Sequence, residues 1–597
     1  MTGWADGPRW IEVEPNRPTT VEKLIARPAA WLDRRYGWDK LPVPLGILTL
    51  AGIRDRLRAE NLHDTRVPAE GGTPTREEQC YRSADGRWND LDHPSMGAAQ
   101  TPFGRNVPPA HNRPETEPRL STPDPRLVSR VLLTRDQFLP ATTLNVLAAA
   151  WLQFEIHDWF RHASDPDAQY RLPARADDPK LGELVVDRTK GTDVEGRFLS
   201  EDTHWWDGSQ IYGSSEVQRK LLRDRERLRV DQGTIPPELA EHLDFRGAHA
   251  GFWAGWVTLH SLFALEHNAI CEHLRREERR AWTEDELFET ARLVNVALMA
   301  KIHTTEWTPG ILAHPTTQAG MRINWWGISE RLRRSRGRIS DDEVISGIPG
   351  SPTAHHGAPY CLTEEFVAVY RMHPLIPDEY VFHAPDGRTP PRPMAMDDLR
   401  TTQAIPRVRE LGMSTVLHSF GVAHPGAITL HNFPRALQEF TPFDGGPVLD
   451  LAAVDIFRSR ERGVPRYNRF REAFHKPRVR TFDQLTSNPS WAEEIRQVYD
   501  GDIDAVDVTI GLFAEDVPKG FGFSDTAFRV FLLMASRRLK SDRFFTKHYD
   551  EEHYTRAGLR WIDDNSMKTL LLRHFPELAP SLAPVENAFT PWARVSP

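Results

Sequence analysis

Two histidine-bearing stretches hold residue types that can do redox chemistry. In LNVLAAAWLQFEIHDWFRH (144–162), Gln153 and His157 are spaced i,i+4 in an otherwise apolar run, so on a helix both project from a face that composition would bury. Burial without partners costs about 1–3 kcal/mol for each group. A pocket in which an imidazole moves a proton between the two oxygens of a bound peroxide gives them a use; hydrogen bonding within a core is the alternative. In EEFVAVYRMHPLIPD (364–378), Tyr370 precedes His373 by three residues. On a helix the two would share a face, their Cβ atoms about 5–6 Å apart. Histidine is a proximal ligand of haem iron, and a nearby tyrosine can lose an electron to an oxidised haem. A Tyr and a His on an amphipathic helix are also ordinary packing.

A third stretch, THWWDGSQIYG (203–213), alternates Thr203, Trp205, Asp207 and Ser209. A loop of this kind can offer hydroxyls, a carboxylate and backbone carbonyls to one hard cation, as calcium prefers. Asp158, directly after His157, supplies a second negative charge. The acidic density of an EF-hand is lacking.

The elements that must position these groups are helical. Leu144, Leu147, Ala148, Trp151, Phe154 and Trp159 recur at three and four spacings through the first stretch. Thr283 and Glu286 form a capping box ahead of LFETARLVNVALMAKIH. A further helix follows Ser524, with Phe528, Phe531, Leu532 and Ala535 on one stripe before RRLKSDRFF. Strand signals are few, the best being YVFHAPDGRTP, where Asp386-Gly387 predicts a small hairpin. The proline-rich passages 106–125 and 348–360 read as surface loops. The candidate residues run from Gln153 to Arg543, so a domain boundary would cut the site. We therefore expect one large, mostly α domain, with residues 126–597 catalytic and 1–125 wrapping around the same body.

The 597 residues are 39% hydrophobic, enough to bury a large core, and the 75 basic and 84 acidic residues are interspersed with a net charge of −9. No basic field exists to hold nucleic acid. Cys80, Cys271 and Cys361 are too scattered for a disulfide framework or a zinc site, which fits a reducing compartment. The N-terminus shows no secretory pattern, so the expected location is cytoplasmic. The apolar run at 41–53 is shorter than the roughly 20 residues of a membrane span; it can dock on the core or, peripherally, on lipid.

Taken together, Gln153-x-x-x-His157-Asp158, the 203–209 loop, LEHNAIC (265–271) and Tyr370-Arg-Met-His373-Pro resemble the animal-type haem peroxidase and cyclooxygenase superfamily. Within it, HTTEWTPGIL (303–312), AGMRINWWGI (319–328), CLTEEFVAVYRMH (361–373) and ASRRLKSDRFFT (535–546) look most like the fatty-acid α-dioxygenases of plants. The resemblance covers nearly the whole chain.

It implies a mostly α, haem peroxidase-like fold, His373 as proximal ligand, His157 and Gln153 on the distal side, and Tyr370 as the radical-bearing residue. It places calcium at Asp158, Thr203, Trp205, Asp207 and Ser209, and substrate-carboxylate contacts at His303, Thr308 and Arg543, with Arg537 and Arg538 as neighbours in the same motif. Superfamily members that bind haem covalently use an acidic residue just before the distal histidine. Ile156 stands there, so haem b is expected without an ester bond. The implied substrates are a fatty acid and O2, the implied product a 2-hydroperoxy fatty acid that can lose CO2 to a shortened aldehyde, and no obligate protein partner is implied. A peroxidase acting on small substrates needs only haem, His157 and His373; a haem-binding sensor or carrier needs none of Gln153, His157 and Tyr370.

Overall fold

The computed structural model describes residues 10–14, 20–63, 67, 69–175, 182–192, 196–240, 252–441 and 447–594. Helices dominate, and the described strands form three two-stranded antiparallel ladders: Ser164–Leu172 with Leu184–Thr189, Arg223–Asp224 with Arg227–Leu228, and Glu379–Phe382 with Arg392–Ala395. The last contains the predicted hairpin. Its strands are joined by the longer connection 383–391, within which Gly387 takes a positive φ of 65°. The longest ladder was not anticipated, because SDPDAQYRL lacks the apolar alternation of a half-buried strand.

One hydrophobic core runs from Trp38 to Trp592. Val146–Trp159 and Glu284–Ile302 both lie in it, the latter opened by the reciprocal Thr283/Glu286 capping box. The first 125 residues contribute Trp38, Leu57, Phe103 and Val107 to the same core. Arg105 fastens this segment to the centre, its Nη2 lying 2.7 Å from Oε1 of buried Glu365. The apolar run at 41–53 begins the helix Val43–Glu60, with Leu45 and Leu48 exposed at 44% and 49%. Among the described residues no helix is long and apolar enough to cross a membrane.

Candidate active site

Val146–Trp159 distributes its side chains among several partners. Gln153 and His157 line a cavity of about 610 Å³, and Tyr370, His373 and Asp455 line it too. Trp253 Nε1 donates to Gln153 Oε1. From other faces of the same helix, Trp151 reaches His303, Glu155 accepts from Trp206 Nε1 at 3.0 Å, and Asp158 turns to Ser209.

The helix carrying Tyr370 is shorter than expected. Thr363 caps Glu364–Val369, and Tyr370 ends the helix at φ −85°, ψ 0°. His373 opens a separate 3-10 turn, so the two are not a helical i,i+3 pair. Both side chains still line the first cavity, but the break gives them different neighbours. Tyr370 is 1% exposed, stacked on Phe531 with ring centroids 4.4 Å apart and edge-on to Trp159 at 5.2 Å. Burial raises its pKa, so the phenol is protonated. His373 keeps 35% of its side chain open, and its Nδ1 lies 2.8 Å from Asp455 Oδ2. Arg371 pairs with the same carboxylate. Burial alone would raise the Asp455 pKa, but Arg371 and His373 outweigh it and hold it below the ordinary value. Nδ1 faces this carboxylate, so Nε2 is the nitrogen available to a metal. Arg135 clamps the turn by donating to the carbonyls of Pro374 at 2.9 Å and Ile376 at 3.0 Å.

Tyr370 also lines a second, narrower cavity with Trp159, Trp206, His303, Thr308 and Arg538. Trp151 Nε1 donates to His303 Nδ1 at 3.1 Å, which leaves Nε2 as the protonated nitrogen. Burial, reinforced by Arg538, pushes the His303 pKa far down, so the ring is neutral. Arg538 is buried, and its Nε and Nη2 have no hydrogen-bond partner among the described residues. A buried guanidinium left this way is costly unless an anion joins it.

Arg543, the expected carboxylate contact, lies elsewhere. It donates to the carbonyls of Glu78 and Gln79, each at 2.6 Å, and packs over Phe544. It sits beyond the helix Asp525–Ser541, whereas Arg538 lies inside it and shares a face with Phe531 and Ala535. Arg537 points away, donating to the carbonyls of Ala358 and Pro359 at 2.8 and 3.0 Å. The stripe Phe528, Phe531, Ala535, continued by three residues, would have selected Arg538.

In the 203–209 loop, Thr203 Oγ1 donates to Asp207 Oδ2 at 3.0 Å, and Ser209 donates to Asp158 Oδ1 through N at 2.6 Å and Oγ at 2.8 Å. Trp205 donates its indole N–H to the Met96 carbonyl. Gly208 between the two motifs has φ 75°, and a Cβ there would meet Val296 Cγ2 at 2.9 Å, so glycine is required. Asp158 Oδ2 and Asp207 Oδ1 are buried without a partner among the described residues. Burial and Asp207 push the Asp158 pKa up to about 8. No group of three acidic, His or Cys side chains that could hold a metal occurs among the described residues.

The animal haem peroxidase model matches residues 81–588. Alpha-dioxygenase 1 of Capsicum annuum is 34% identical, with 96% of this chain and 92% of that protein aligned. The crystal structure of Oryza sativa fatty acid alpha-dioxygenase superposes with a TM-score of 0.89 at 33% identity, covering 97% of this chain and 98% of that one. A structure of a Tyr-to-Phe variant of the rice protein with palmitic acid superposes with a TM-score of 0.88 at 32% identity, over 97% and 98% of the two chains. The chain belongs to the α-dioxygenase branch of the animal haem peroxidase family.

The first cavity has the chemistry that a haem of this family needs. His373 presents an imidazole backed by a carboxylate, and Ile156, Phe160, Val367 and Leu375 supply apolar wall for a macrocycle. Arg161, Arg458 and Arg462 line the same cavity, Arg161 paired with Glu201 and Arg458 with Glu461. The residue before His157 is Ile156, which cannot form an ester.

Proposed function

We propose that this chain is a haem-dependent fatty-acid α-dioxygenase, adding O2 at C2 through a radical on Tyr370. One observation carries the reading: the Tyr370 ring borders both cavities, the one containing His157 and His373 and the one containing His303, Thr308 and Arg538. His157 and Gln153 are suited to bind and deprotonate a peroxide on the distal side. Haem, when bound, supplies the one-electron oxidation that turns the Tyr370 phenol into a phenoxyl.

Arg538, the His303 Nε2–H and the Thr308 hydroxyl form a site for a carboxylate, and a carboxylate held beside Tyr370 leaves C2 as the nearest carbon bearing hydrogen. The phenoxyl takes that hydrogen atom, O2 joins the C2 radical, and the resulting peroxyl recovers a hydrogen atom from Tyr370. The sum is one fatty acid plus one O2 giving one 2-hydroperoxide, with the tyrosyl radical regenerated. Loss of CO2 and water from that product gives the aldehyde one carbon shorter. The palmitic acid bound by the rice protein supports the substrate class.

A peroxidase that oxidises small molecules would use the first cavity alone. The buried cation in the second cavity favours the dioxygenase. Calcium belongs to this proposal: the unpartnered carboxylate oxygens of Asp158 and Asp207, with Thr203, Ser209 and the Trp205 carbonyl, suit a hard cation that ties the loop to the helix of His157. An oxygen-electrode assay of the haem-loaded protein tests the function. Uptake with palmitate, and a 2-hydroperoxide or pentadecanal product, is expected; peroxide-dependent oxidation of phenols without fatty-acid-dependent O2 uptake would leave only the peroxidase.

A further inference from the structure

Tyr370 is not the only oxidisable ring lining the second cavity. Trp159 stands edge-on to it, centroids 5.2 Å apart, and Trp206 follows at 5.3 Å from Trp159. Tryptophan is oxidised about as readily as tyrosine, so an indole beside the phenoxyl, with a second indole behind it, is a path by which the radical could leave the reacting position. The Arg538 guanidinium lies over both rings, its carbon 4.0 Å from the centroid of Trp159 and 4.8 Å from that of Trp206. A cation on the π face stabilises the neutral indole and repels the positive charge that appears when the indole loses an electron. Trp159 Nε1 has no hydrogen-bond partner among the described residues, so an oxidised Trp159 has no neighbour to take its proton and remains a cation.

We propose that Arg538, besides anchoring the carboxylate, is a positioning residue for the radical: its charge makes Trp159 and Trp206 hard to oxidise and keeps the unpaired electron on Tyr370. The inference rests on the tyrosyl-radical reading above. The step it blocks is an electron passing from Trp159 to the Tyr370 phenoxyl with uptake of one proton from solvent, which would restore tyrosine and leave an indole radical cation; the oxidant throughout is the hydroperoxide that oxidised the haem. The guard matters most before substrate arrives. A bound fatty acid brings a C2 hydrogen to Tyr370 and an anion to Arg538, whereas the empty site has no other outlet for the radical.

The test uses haem-loaded full-length protein, mixed with a hydroperoxide in the absence of fatty acid and freeze-quenched for electron paramagnetic resonance, with peptide mass mapping of oxidised Trp159 and Trp206. Wild type and Arg538→Lys should show a tyrosyl signal that disappears in Tyr370→Phe. Arg538→Gln and Arg538→Met should show a tryptophanyl component and a several-fold rise in oxidation of the two indoles, and adding Trp159→Phe should remove that component. A tyrosyl-only signal with wild-type indole oxidation in either neutral variant that retains its Soret band overturns the guard and leaves the dioxygenase reading standing. Absence of any Tyr370-dependent signal from wild type overturns the radical reading itself, and the guard with it.

Discussion

His373 Nδ1 and Asp455 Oδ2 stand 2.8 Å apart, joining the turn after Tyr370 to the helix Leu451–Glu461. A carboxylate on the far nitrogen orients the ring and strengthens it as a donor to iron. Asp455→Leu should weaken haem binding by about 10- to 100-fold, the usual cost of losing such a partner, and raise the haem reduction potential. His373→Ala should lose most of the Soret band. Haem titration and redox titration read both, and an unaltered potential in Asp455→Leu would show that the contact is only structural.

Tyr370→Phe removes one oxygen from a ring packed on Phe531 and Trp159. Haem content and some peroxidase turnover should survive while fatty-acid-dependent O2 uptake is abolished. Oxygenation of palmitate near the wild-type rate would contradict the mechanism.

Arg538 and Arg543 should separate in kinetics. Loss of a charge-assisted contact in Arg538→Gln is worth about 1.5–3 kcal/mol, so KM for palmitate should rise roughly 10- to 100-fold. Arg543→Gln breaks the ties to Glu78 and Gln79 and should lower the melting temperature with KM little changed. The opposite pattern would return the anchor to Arg543.

Calcium should matter to stability. Asp207→Ala, or chelator on wild type, is expected to lower the melting temperature and haem retention together, because Asp158 and Ser209 link that loop to the helix of His157. Melting curves that superpose with and without chelator would remove calcium from the account.

His260 gives a pH test away from the site. It is buried, neither ring nitrogen has a partner among the described residues, and burial lowers its pKa to about 3. The unfolded chain protonates this histidine near pH 6.5 and the folded chain does not, so the stability it contributes is present above that value and is lost as pH falls. Replacing it removes the loss. Between pH 7 and pH 5, the stability of His260→Leu relative to wild type should improve by about 2 kcal/mol in denaturant titrations. A pH-independent difference would mean that the folded protein already accommodates the charge.

Much of this protein is legible in its sequence, for a local reason. Gln153 and His157 share a face because one helix fixes i,i+4 geometry, the Thr283/Glu286 cap is written within four residues, and the ordered motifs from LEHNAIC to ASRRLKSDRFFT mark the family. The tertiary structure decides what depends on separation along the chain or on where a helix stops. Tyr370 and His373 meet different neighbours because the helix ends at Val369 and His373 opens a separate turn. Asp455 reaches His373 from far along the chain, and no periodicity reports such a pairing. Among the three arginines of one motif, burial beside Trp159 singles out Arg538. Packing decides that, because residues at adjacent helical positions point in different directions and only the surrounding core says which direction is inward.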